Sequence, residues 1–175
     1  AEKLRGGMVL PEGVPDTLDV SHVHEAAPSA FPNGTHVAEV EIDPDTGVVE
    51  VVKYTMVGDF GTVINPLLVE GQSHGGVVQG IGQAMFEHVV YSEEGQPLTG
   101  SFTDYALPRA SDTPFFKIDY HSVPAKTNVL GAKGCGEAGC AGSLPSVMNA
   151  IVDALGGRHI NMPATPERVW EALNS

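Results

Sequence analysis

The sequence predicts an α+β fold: β-hairpins and a mixed sheet combined with two or three helices. Three observations carry this. Residues 37–42 alternate in polarity and lead through a turn into a β-branched run. An Asn-Pro pair at 65–66 opens a stretch with apolar residues at helical spacing. A second helical face lies between Ser143 and Leu155. A length of 175 residues suits one domain or two small ones, and 42% apolar content places the chain among globular proteins. The balance of 9 basic and 22 acidic residues, a net charge of −13, argues against an unassisted binder of nucleic acid or of anionic membranes. No apolar run reaches the length of a membrane span, and the opening residues show no signal-peptide pattern. A start at Ala1 reads as a processed product or a fragment of a longer chain.

In chain order, residues 1–35 contain Pro11, Pro15, Pro28 and Pro32 without a sustained period and read as an irregular arm, with a short strand over 17–25. His22 and His24 would share one face of that strand. With no third ligand near, they read as ordinary strand residues. The remainder, 36–175, reads as the structured unit. Val37, Glu39 and Glu41 alternate with Ala38, Val40 and Ile42, Asp43-Pro44-Asp45-Thr46-Gly47 supplies a turn, and Val48–Tyr54 returns as a second strand. A loop from Asp59 to Ile64 meets Asn65 as N-cap and Pro66 as the first helical residue. The helix should run to about Val90, with Val77, Val78, Ile81, Met85 and Val89 at helical spacing. Its glycines at 71, 75, 76, 80 and 82 each cost up to ~1 kcal/mol against Ala, so it must be buried and tightly packed, or broken. Gln79 stands among these glycines, where an amide can reach a ligand uncovered. Gln72 and Gln83 read as merely exposed. A turn over 91–97 should join strands at 87–91 and 98–102, and Phe115–Val123 alternates as a further strand. Ser143 should cap a helix ending near Leu155 and Gly156, and Thr165-Pro166 a last short one through Leu173.

Residues 130–143 carry Gly131, Gly134, Gly136, Gly139 and Gly142 around a single acid, Glu137, with Lys133 as the loop's only cation. Such a run makes sense where the backbone takes a positive φ or approaches another body closely. A carboxylate there is a candidate general base, and equally a solvated Glu on a Gly-rich turn. Cys135 and Cys140 have a C-x4-C spacing that matches no common zinc pattern. They read as free thiols in a reducing, cytoplasmic compartment rather than as a metal or redox pair.

Four stretches taken together resemble one family. They are Val57-Gly58-Asp59-Phe60-Gly61-Thr62-Val63-Ile64-Asn65-Pro66, the Gly/Gln-rich stretch 70–84, Asp104-Tyr105-Ala106-Leu107-Pro108-Arg109, and Gly131-Ala132-Lys133-Gly134-Cys135-Gly136-Glu137-Ala138-Gly139. In this order they resemble the C-terminal molybdopterin-binding domain in the large subunit of the xanthine dehydrogenase, aldehyde oxidase and carbon monoxide dehydrogenase family. The Gly-Glu-Ala-Gly form is similar to the bacterial three-subunit branch. The resemblance implies that Glu137 is the catalytic base, taking a proton from the hydroxyl that becomes the nucleophile. It places Gln79 beside the metal's ligands, and the run Lys133, Gly134, Cys135 and Gly136 against the metal or pterin. No residue of this chain is implied as a metal ligand. The implied cofactor is molybdenum–molybdopterin in its cytosine dinucleotide form, completed by residues outside this chain. The implied partners are the remainder of the large subunit, an iron–sulfur subunit and a flavin (FAD) subunit that take the electrons. The implied substrate is an aldehyde, an N-heterocycle or carbon monoxide, oxidised with water as oxygen source.

The match spans about residues 36–155, and the family's other pterin-binding loops and substrate-pocket loop are not found here. The chain by itself is therefore expected to bind no molybdenum cofactor and to be inactive alone. A non-catalytic assembly module is the alternative from another class. A phosphate-binding module is the weaker one, because the loop lacks the Lys-Ser/Thr ending of a P-loop.

Overall fold

The computed structural model describes residues 12–13, 19–25 and 28–175. Of the strand anticipated over 17–25, Thr17 and Leu18 lie outside the described residues, and residues 19–25 form no strand. Strand β1 (Asn33–Ile42) pairs antiparallel with β2 (Val49–Asp59), in register from Asn33 opposite Asp59 to Ile42 opposite Val49, with a bulge at Glu39/Val40. The alternation holds: His36, Ala38, Val40 and Ile42 turn inward while Val37, Glu39 and Glu41 face out. Gly47 closes the turn at φ +72°, and a Cβ there would collide with the Pro166 carbonyl and Trp170. The turn is thus also the seat of the last helix. Strand β2 runs past the anticipated Tyr54 to take in Asp59, expected in a loop, because β3 (Lys117–Tyr120) pairs with that half in parallel, from Thr55 opposite Lys117 to Gly58 opposite Tyr120. The result is a mixed three-stranded sheet, β1-β2-β3.

Helix α1 (Pro66–Met85) starts as anticipated, with the Asn65 side chain accepting from the Leu68 N–H. It stops short of Val90. The N–H groups of Phe86 and Glu87 both donate to the Gly82 carbonyl, and Glu87 then accepts from the Tyr105 hydroxyl at 2.6 Å. The second hairpin shrinks to one bridge, Tyr91 with Pro97, and its flanks do not pair as strands. The Gly95 turn forms, but Pro97 has no N–H to extend a ladder. Helix α2 (Ala138–Ala154) begins before Ser143, so the second half of the glycine run is helix rather than loop. Ser143 is fully buried in its interior and donates to the Cys140 carbonyl. Helix α3 (Pro166–Leu173) carries the Thr165 cap.

Why α1 and α2 tolerate so much glycine is visible at their contact. A Cβ on Gly76 would lie 2.9 Å from the Gly139 Cα, and one on Gly139 would lie 2.8 Å from the Ser73 carbonyl oxygen. One turn on, Gly80 meets the Ser143 hydroxyl. The helices touch backbone to backbone, and tight packing is the outcome of the two the sequence left open. Helix α2 packs in turn on β1, where a Cβ on Gly142 would strike the His36 ring. Val51, Tyr54, Met56, Phe60, Val77, Ile81, Val147, Ile151 and Val169 form the core between sheet and helices. Within it the Tyr54 hydroxyl lies 2.6 Å from His36 Nδ1 and 3.3 Å from Ser146 Oγ, and burial pushes the phenol up to about 12.

Candidate active-site face

The glycine loop is fixed at its stem by the end of β2. Asp59 Oδ1 accepts from the N–H groups of Gly61 and Val123, both at 2.9 Å, and Oδ2 accepts from Lys133 Nζ at 2.5 Å. The side chains of Lys133 and Asp59 are only 10% and 13% exposed. The lysine ammonium, followed by the two backbone donors, holds the Asp59 carboxyl well below the usual carboxylate range. Thr62 N–H donates to the Gly131 carbonyl and Lys133 N–H to the Phe60 carbonyl, so residues 131–133 run strapped to 60–62. Gly61 and Gly131 take φ of +62° and +68°, and a Cβ on Gly61 would collide with the Gly131 carbonyl. These two positions require glycine.

Beyond Lys133 the demands change. Gly134 has a negative φ and no atom near the position of a Cβ, while a Cβ on Gly136 would meet only Gln72 Nε2, at 3.7 Å. The same is true on α1 of Gly71 and Gly75, where a Cβ would meet nothing. No close contact within the described chain calls for glycine at these four positions, and methyl groups there would fill open space. Glu137 follows Gly136 directly, exposed at the N-cap of α2, where its side chain caps no N–H. Helix α2 directs its first N–H groups toward the same end, which favours negative charge there.

Of the residues singled out from sequence, Glu137, Gly134 and Gly136 lie within four positions of one another, and all three are exposed. Gln79 is exposed on α1, one turn past the Gly76 contact. Gln72 precedes it by two turns on the same side of the helix, an axial separation of about 10 Å. It is Gln72, read from sequence as merely exposed, that abuts the loop at Gly136. The Lys133 ammonium is engaged with Asp59 and does not face the open surface. Cys135 is half-buried against the core, and Cys135 and Cys140 are both free. Asp59 received no role from sequence. The signal that could have found it is the loop's lone cation, Lys133, which once buried needs an acid. Among the described residues no cluster of three or more His, Cys, Asp or Glu could hold a metal ion, so the chain offers backbone, amides and one carboxylate rather than a ligand set. That donor set, with the four open glycines as a cradle, fits a bulky organic cofactor that carries its own metal.

Residues 14–114 match the family model of the molybdopterin cofactor-binding domain. The chain is 41% identical, over 93% of its length, to the nicotine 6-hydroxylase large subunit of Paenarthrobacter nicotinovorans, and 36% identical, again over 93%, to the carbon monoxide dehydrogenase large chain of Hydrogenophaga pseudoflava. It covers 20% and 21% of those proteins, so it spans about a fifth of the length of the curated relatives it matches. Among solved structures, quinoline 2-oxidoreductase from Pseudomonas putida 86 superimposes with a TM-score of 0.77 at 36% identity, over 82% of this chain and 19% of that one.

Proposed function

Because this chain belongs to the molybdopterin cofactor-binding domain family, found in large subunits of xanthine dehydrogenase-type molybdenum enzymes, we propose that it supplies the proton-accepting wall of such an enzyme's active site. When bound, molybdenum–molybdopterin supplies the two-electron oxidation of the substrate, with water as the oxygen source. In this reading a Glu137 carboxylate oxygen accepts the proton lost from the attacking hydroxyl. The Gln79 amide orients the cofactor's oxygens, and the backbone from Lys133 to Gly136, including Cys135, lies along it without side-chain bulk at Gly134 and Gly136. The Lys133 side chain works from behind, through Asp59.

The observation that carries the reading is the position of Glu137: an exposed carboxylate at the start of α2, between anchored residues, next in chain to glycines at 134 and 136 around which no side chain crowds. The whole protein would act on an aldehyde, an N-heterocycle or carbon monoxide, in line with the names of its relatives. The cytosine dinucleotide form of the cofactor, electron transfer to iron–sulfur and flavin (FAD) partner subunits, and a cytoplasmic location complete the proposal. No helix of the described residues is long and apolar enough to cross a membrane.

The test is Glu137→Gln in the complete protein with its partner chains, assayed with nicotine, an aliphatic aldehyde and carbon monoxide as probe substrates. The substitution keeps shape and removes the proton acceptor. Turnover per bound molybdenum should fall by about 10²–10⁴-fold, with metal content unchanged. A variant with full metal content and more than about a tenth of the wild-type rate defeats the assignment.

A further inference from the structure

Resting on that reading of Glu137, we propose that Asp59 and Lys133 form a positioning pair that sets where the Glu137 carboxylate stands. Glu137 is four residues beyond Lys133 and two before Gly139. Gly139 is clamped by its backbone contact with Gly76. Lys133 is the other fixed point: its N–H donates to the Phe60 carbonyl, and its ammonium is spent on Asp59 in a largely enclosed pair that fixes its side chain as well. Between the two anchors lie Gly134 and Gly136, the residue type with the most conformational freedom, with room for a Cβ at both, while Cys135 and Ala138 rest partly buried on the core. The reach of Glu137 is therefore set by these two anchors together with the packing of Cys135 and Ala138 between them.

Asp59 is built for this task. Its carboxylate gathers three donors from three segments: the turn after β2 through Gly61, the chain after β3 through Val123, and the glycine loop through Lys133. Two of these are backbone N–H groups, which fix the carboxylate's direction. The lysine stem also packs on the turn, its Cγ 3.2 Å from where a Gly61 Cβ would stand. The loop is thus referenced to the sheet rather than left to its own conformational preference.

The experiment uses the complete protein with its partner chains and the variants Asp59→Asn, Lys133→Met, the double variant and Glu137→Gln. Asn keeps an oxygen for the two backbone donors and loses the charge facing Lys133. Met keeps the apolar stem. Cys135 lies inside the loop, so its alkylation by iodoacetamide relative to Cys140, followed by mass spectrometry, reports loop order without any turnover. Amide exchange over 131–137, compared with 147–155 in α2, gives the same information along the backbone.

Each single variant should speed Cys135 alkylation and exchange over 131–137 by about tenfold, leave 147–155 unchanged, and lower kcat per molybdenum by about 10–100-fold with KM little altered. The double variant should be no worse than the more impaired single one, since both break one contact. The proposal is overturned if the loop stays as ordered as wild type, if it loosens without loss of kcat, if the two losses add, or if exchange rises equally through 147–155. Wild-type turnover in Glu137→Gln would sink the base assignment, and with it the purpose of the pair. An inactive Glu137→Gln beside fully active Asp59→Asn and Lys133→Met sinks the pair alone.

Discussion

Asp59 shows how much a single side chain carries when it collects donors from separate segments. Its carboxyl sits below the ordinary Asp value of about 3.9 in the folded chain, chiefly because of the Lys133 ammonium. A depressed folded value means that the unfolded chain binds the proton more readily. The stabilisation is therefore complete above about pH 4–5 and is lost as pH falls below the unfolded value toward the folded one. Urea titrations between pH 3 and pH 6 should show stability falling with acid in the wild type and a flatter acid limb in Asp59→Asn. An unchanged limb in the variant would mean that the pair contributes nothing to the fold. His36 behaves differently: burial alone lowers it, and its partner is the Tyr54 hydroxyl rather than a charge.

Among the elements, the two helices divide their glycines into two kinds, and substitution should separate them. Gly76, Gly80 and Gly139 lie in the seam between α1 and α2, where a side chain would enter the opposing backbone or the Ser143 hydroxyl. Gly139→Val should destabilise the chain by about 3 kcal/mol, and thermal unfolding would show it. Gly71 is helical with nothing near its Cβ position, so Gly71→Ala should stabilise the chain by up to ~1 kcal/mol. If the open face receives the cofactor or the rest of the large subunit, the same methyl should cost molybdenum content in the complete protein. A gain in both measurements would show that face to be solvent. The two kinds could not be told apart from the sequence, which is why α2 was expected to begin at Ser143: a glycine run reads as loop until a partner helix is known to cover it. The first hairpin and the caps at Asn65 and Thr165 were legible because their signals are local. The β2–β3 pairing and the Asp59–Lys133 contact join residues about sixty and seventy-four apart, and no local pattern announces them.

For the molecule as a whole, the described residues include large apolar side chains left exposed: Leu67 and Leu68 at the start of α1, Phe102, Phe115, and Val129 beside Leu130. The chain also covers only about a fifth of the length of the relatives it matches. The separate 175-residue chain should therefore retain no molybdenum after purification, and elemental analysis showing near-stoichiometric metal would contradict this. Thiol titration of the unfolded chain without reductant should return both Cys135 and Cys140. The seam between α1 and α2 has a consequence of another kind. Where two helices meet through side chains, their spacing wanders with every change of rotamer; where they meet through Cα atoms and carbonyls, it is set by atomic radii. Such a seam acts as a datum surface. The offset between the axes of α1 and α2 is gauged from bare backbone, so warming the protein or repacking its core should leave that offset nearly unchanged.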